Sequence, residues 1–303
     1  MGVWGVGLYS GDFAQDVRGS VKAVARLPGT PEEVLAYLCA TEPSVANDPT
    51  DPDHTIFWLA VADQFAKRGI DCPSARERAL NIILDGADLA AMKALGMDDK
   101  SLAKRRTMLE ELRVRISAAA GTTKPRAVLK VPQKLILEVG DVVGYPTCKQ
   151  HPINPYAGKS SPLLGDWHQD GWGAFVVAER GLQYDFLAWY RPLVICEPML
   201  EQPSLGGLME PRMWLLHAPG TLTSNHAARM QFKSVGCVSI DPAKLSQFFP
   251  QRMSPVSCAV SDISIANSIY VRGLSVHEAH RVKHGYPPTP RIHALTDVTD
   301  SLG

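Results

Sequence analysis

The stretch "GTTKPRAVLKVPQK" (121–134) divides the chain in two. Upstream of it, from about Asp99 to Ala119, Leu102, Leu109, Leu112 and Ile116 fall on one stripe. Lys104, Arg105, Arg106, Glu110, Arg113 and Arg115 take much of the remaining surface, as on an amphipathic helix. Downstream the chain turns to short apolar runs punctuated by Pro and Gly, beginning with "LILEVGDVVGYP" (135–146), which reads as a strand. The resulting expectation is an α+β protein: a helical N-terminal domain (1–121) followed by a mostly antiparallel, β-rich C-terminal domain (122–303).

Working back from the linker, "CPSARERALNIILDG" (72–86) has Pro73 in its first turn and Gly86 beyond its end. "DPDHTIFWLAVADQFAKRG" (51–69) starts at Asp51-Pro52, stops at Gly69 and repeats Trp58, Val61, Ala62 and Phe65 at helical spacing. Asp12 is positioned to cap a helix running to about Leu27, which Pro28-Gly29 ends and Thr30-Pro31 follows with the next start. Such short helices must bury their apolar faces against one another.

Forward of the linker, "WGAFVVAER" (172–180), "YDFLAWYRPLVIC" (184–196), "RMWLLHAP" (212–219) and "MQFKSVGCVSI" (230–240) read as further strands. Helices are expected near 242–249 and 275–283. Between the first two strands lies the long loop 147–171, "TCKQHPINPYAGKSSPLLGDWHQDG". Loops of that length usually carry function.

Composition bounds the function. Lys+Arg and Asp+Glu both number 31, so no global field draws the chain to nucleic acid or to an anionic membrane surface. Six scattered cysteines without a C-x-x-C pair read as buried free thiols in a reducing compartment. Neither a signal-peptide pattern nor a membrane-span pattern occurs, and a cytoplasmic location is expected.

The most suggestive chemical cluster is "SVHEAHRVKHG" (275–285), where Ser275 and Glu278 match a capping box. On the following helix His277, His280 and His284 share a face and are the candidate metal ligands. Yet the outer two stand about 10 Å apart by helix rise, too far for one tetrahedral ion, and the spacing is not that of H-E-x-x-H. A metal-dependent or ligand-binding enzyme built on this face is therefore the alternative, not the leading reading. Cys148 and His151 are close in sequence, which is not the geometry a thiolate–imidazole pair requires. Asp85/Asp88 and Asp98-Asp99 read as helix-start acids, and the Lys104–Arg115 basic face as a solvated one rather than a nucleic-acid surface.

The aromatics point elsewhere. Trp172 and Trp189 are expected to face inward, whereas Trp167 stands on the long loop beside His168, Gln169 and Asp170. An aromatic among polar loop neighbours has the composition of a protein-binding hot spot. Trp167, His168, Asp170 and Trp172 are therefore the candidate partner-binding residues.

Two stretches carry a family likeness. "MGVWGVGLYSGDFAQDV" (1–17) resembles the opening of an uncharacterised bacterial family that begins Met-Gly-x-Trp-Gly-x-Gly, through Gly2, Trp4, Gly5, Gly7, Asp12, Ala14 and Asp16. Residues 138–195 are similar to bacterial immunity proteins to polymorphic toxins, through Gly140, Asp141, Val142, Pro146, Asp170, Gly171 and Gly173. The resemblance implies a non-enzymatic protein that needs no cofactor and neutralises a cognate toxin by binding it. Trp4, flanked by glycines that allow close backbone approach, is expected to be packed against its neighbours.

Overall fold

The computed structural model describes residues 5–118, 126–156, 167–249, 264–271, 283, 285 and 290–300. Trp4 and the three candidate histidines His277, His280 and His284 lie outside them. The chain is α+β, with helices concentrated in its first part and an antiparallel seven-stranded sheet in its second.

The helical unit contains α1 (Asp12–Val24), α2 (Pro31–Thr41), α3 (Pro43–Asn47), α4 (His54–Lys67), α5 (Pro73–Leu84), α6 (Ala87–Ala94) and α7 (Asp99–Ser117). Proline opens α2, α3 and α5, where its missing N–H is no loss. Thr30 and Glu33 close a reciprocal capping box on α2, and Asp98 caps α7 through the Ser101 amide at 3.0 Å. Asp12 is not a cap: Gly11 occupies that position, and Asp12 enters the first turn without a side-chain cap bond. Helix α4 is the hub, buried at every position from Phe57 to Phe65. Leu59 and Ala62 pack there with Ala79 and Ile83 of α5 and with Leu109, Leu112 and Ile116 of α7.

The break between units falls within the 121–134 stretch, between Val131 and Pro132. Residues 126–131 stay with the helices because Arg126 donates to the Ala25 and Gly29 carbonyls and the Leu129 amide to that of Arg26. Pro132 onward belongs to the sheet, where the Gln133 amide donates to the Phe186 carbonyl at 2.9 Å.

The sheet comprises β1 (Asp141–Cys148), β2 (His151–Pro152), β3 (Gly171–Gln183), β4 (Leu187–Ile195), β5 (Trp214–Leu216), β6 (Lys233–Cys237) and β7 (Arg291–Ile292). Its order is β2-β1-β3-β4-β5-β7, with β6 also on β1. The run 135–140 is not strand: Leu135, Ile136 and Leu137 instead pack on one sheet face, and the Ile136 amide donates to Tyr190 Oη at 2.6 Å.

All nine residues of β4 are buried, because both sheet faces are covered. One face packs Val142, Val176, Leu193 and Trp214 with α8 (Leu205–Met209) and α10 (Pro242–Phe248). The other packs Val143, Phe175, Val177 and Tyr190 with residues flanking α9 (Ser224–Arg229) and with α11 (Ile265–Ser268). Burial on two faces explains the unbroken apolar runs of β3 and β4 in an antiparallel sheet. Pro192, which has no N–H for the ladder, sits where the β3–β4 register slips around Ala178.

Cys72, Cys148 and Cys196 are buried free thiols as expected, while Cys39 is half-buried and Cys237 is exposed.

Candidate functional site

The described part of the long loop converges on one end of the sheet. The loop begins later than its sequence suggests, because Thr147–Pro152 is a tight hairpin in which Cys148 pairs with His151. Lys149 and Gln150 at its tip both have positive φ (50° and 69°), as the primed turns of two-residue hairpins require. Asp170 secures this tip: its carboxylate accepts from the Lys149 amide at 2.6 Å, and its own amide donates to Thr147 O at 2.9 Å. Asp170, a candidate partner-binding group, also braces the hairpin and remains exposed.

Further ties hold the segment that follows. The Val271 amide donates to Gln150 O at 3.2 Å, and the His151 ring stacks on Tyr270 with centroids 4.0 Å apart. Arg229 donates to Pro155 O at 2.9 Å, and Tyr156 meets His226 edge-on at 4.8 Å. His151 is exposed and Tyr156 is 52% exposed, so these two rings face solvent from a fixed backbone.

The remaining candidates fall at the start of β3. Trp167 is half-buried, and its indole N–H is shielded from solvent without a hydrogen-bond partner among the described residues. His168 is exposed. Trp172 is half-buried rather than inward-facing, and its backbone is bridged to Met199 in both directions at 2.7 and 2.8 Å. Leu200, the next residue, is 90% exposed. Trp189 is buried, as expected.

The sequence reading missed a second polar assembly, inside the helical unit. Asp63, fully buried on α4, accepts from Tyr9 Oη at 2.5 Å and from Lys67 Nζ at 2.7 Å through Oδ2. Arg115 Nη2 lies 2.7 Å from Oδ1, and Gln64 Nε2 donates to both Tyr9 Oη (2.6 Å) and Asp63 Oδ2 (3.1 Å). Burial alone would raise the Asp63 pKa, yet hydrogen bonds from Lys67 and Tyr9 and the charges of Lys67 and Arg115 hold it below the ordinary carboxylate value. Burial, with the bond to Asp63, pushes the Tyr9 phenol upward, so it stays a donor.

A third carboxylate corrects the expectation for Arg105. Asp88 is fully buried on α6 and takes a two-pronged contact from Arg105, Nε at 2.6 Å and Nη2 at 2.8 Å. Asp88 does stand in the first turn of α6 as a helix-start acid, but Arg105 is buried and not part of a solvated face, and Asp85 lies at the end of α5. Arg115 and Arg113 of the same basic face are also engaged, by Asp63 and Glu110. A signal was available: Arg105 falls between Leu102 and Leu109 at the three- and four-residue steps of the apolar stripe.

Among the described residues no group of three or more His, Cys, Asp or Glu is arranged to hold a metal ion, and no helix is long and apolar enough to cross a membrane. Comparisons with protein-family models, curated proteins and solved structures returned no match to this chain.

Proposed function

We propose that this chain is a protein-binding module of the immunity type, and that the β unit carries its recognition surface at the β1–β2 end of the sheet. The observation that carries the reading is the pair of solvent-facing rings, His151 on Tyr270 and Tyr156 on His226, held by a hairpin tied down at Asp170, Val271 and Arg229. Rigid aromatic groups lose little conformational entropy on binding and form the centres of hot spots. Trp167, His168 and Trp172 extend the same chemistry along the start of β3. The partner is a protein, and the family resemblance makes it a toxin covered by direct contact.

The test is stoichiometric co-purification with the full chain, comparing wild type with a His151→Ala/Tyr156→Ala double variant of unchanged melting temperature. A partner retained by wild type and released by the double variant is expected. Equal retention would show that the surface lies elsewhere.

A further inference from the structure

A cavity of about 220 Å³ opens in the helical unit among α4, α5, α7 and the 69–72 loop. Its floor is apolar, with Phe65, Ile70, Ala75 and Ile116 among the lining residues, and its polar wall holds Lys67, Arg76 and Arg115. A cavity near 150 Å³ takes a benzene-sized ring, so this one has room for such a ring and a small polar group.

Three basic side chains line it, each held by a carboxylate. Asp63, behind the wall, fixes Lys67 through one oxygen and Arg115 through the other. Asp71 fixes Arg76. Three cations thus meet Asp63 and Asp71, with the Glu32 carboxylate beyond Cys72. Cys72 also lines the cavity, but its thiol donates to Glu32 at 3.3 Å, and burial pushes it up to about 12, so it adds no anion at neutral pH. Lys67, Arg115 and Arg76 remain 46%, 44% and 35% exposed, and an ammonium with three donors or a guanidinium with five is not exhausted by its present bonds.

We infer that the helical unit holds a binding site for a small carboxylate with an apolar body of about one aromatic ring, its ring on the Phe65–Ile116 floor and its carboxylate among Lys67, Arg76 and Arg115. One such anion takes the donors that Lys67, Arg76 and Arg115 keep beyond their present bonds, and the preset positions of Lys67 and Arg115 reduce the ordering that binding requires. The site lies in the helical unit and does not depend on the recognition surface of the β unit.

Calorimetric titration of the full chain with benzoate tests this, with benzylamine and inorganic phosphate as comparison probes. Saturable one-to-one binding of benzoate is expected, with benzylamine inert and phosphate at least about tenfold weaker. Arg76→Ala, which alters a partly exposed side chain, should weaken benzoate about tenfold, the loss of one charge-assisted bond, while leaving the thermal melt unchanged. Lys67→Met is the second variant: it should weaken benzoate similarly, with a lowered melting temperature because buried Asp63 loses one of its cations. Failure of benzoate to bind, equal binding of benzylamine, or binding indifferent to both substitutions would overturn the assignment. Phosphate binding as tightly as benzoate would overturn it too, since the apolar floor would then contribute nothing.

Discussion

The two units solve the problem of a stable interior differently. The helical unit places charge inside its core: Asp63 and Asp88 are both fully buried, each matched by basic side chains from α7. The β unit packs mostly apolar side chains against both faces of its sheet, with Arg191 buried beside Glu179, and relies more on shape. Its β1, β3 and β4 strands interlock at close approaches such as Tyr145 over Gly173, where a Cβ would stand 2.3 Å from the ring. Within the helical unit the contrast repeats on a smaller scale. Asp88 and Arg105 close on each other, 0% and 2% exposed, whereas Asp63 faces partners that reach out to a cavity wall. A closed pair specifies packing; an open one leaves donors available.

The largest expected effect breaks the closed pair. Arg105→Leu leaves Asp88 buried without its cation and should cost about 3–5 kcal/mol in chemical denaturation of the helical unit. Pairing it with Asp88→Leu should recover most of that loss, because an apolar pair of similar bulk replaces both charges. A double variant as unstable as the single one would mean that the bidentate bonds themselves, not the stranded charge, set the cost.

The next effect probes shape in the β unit. Gly173→Ala forces the Tyr145 ring aside and with it the Tyr145 hydroxyl bond to Ile269 O, at a cost of about 1–3 kcal/mol by the same measurement. A change within 0.5 kcal/mol of wild type (roughly the noise of surface substitutions) would show that the ring can move freely and that shape is not what this sheet depends on.

The smallest effect separates the units by pH. The Asp63 carboxyl has a folded pKa below its unfolded value, so its contribution is complete above the unfolded value and is lost as pH falls through the folded one. Tyr9 has the opposite sign: its folded pKa is raised, so its contribution is complete below about pH 10 and declines above. Hydrogen exchange should therefore show the amides of α4 and α7 losing protection at pH 3 before those of β3 and β4. Simultaneous loss would mean that the Asp63 network does not limit the helical unit in acid.

How much of this was legible follows from what each feature depends on. The helices α2, α4, α5 and α7 were visible because capping, punctuation and apolar periodicity are local. The hairpin tips Lys149-Gln150 and Tyr184-Asp185 were not, because all four residues adopt positive φ without a glycine to signal it. The bracing contact of Asp170 was not legible for a related reason: its partner, the Lys149 amide, lies 21 residues away across the long loop.

By itself, the sequence determined the α+β order, the change of character near residue 121, the helices α1, α2, α4, α5, α7 and α10 and the longer apolar strands, since each rests on patterns a few residues long. Only the tertiary structure decided which polar residues go inside. Arg105 became a core residue because Asp88, 17 positions earlier, is brought to it by the packing of α6 on α7. Asp63 became a hub because Tyr9 and Arg115 meet it from opposite directions along the chain. Burying a charge is tolerated only where a partner of opposite sign is delivered to it. That delivery is a property of the assembled helices and of no single stretch of sequence.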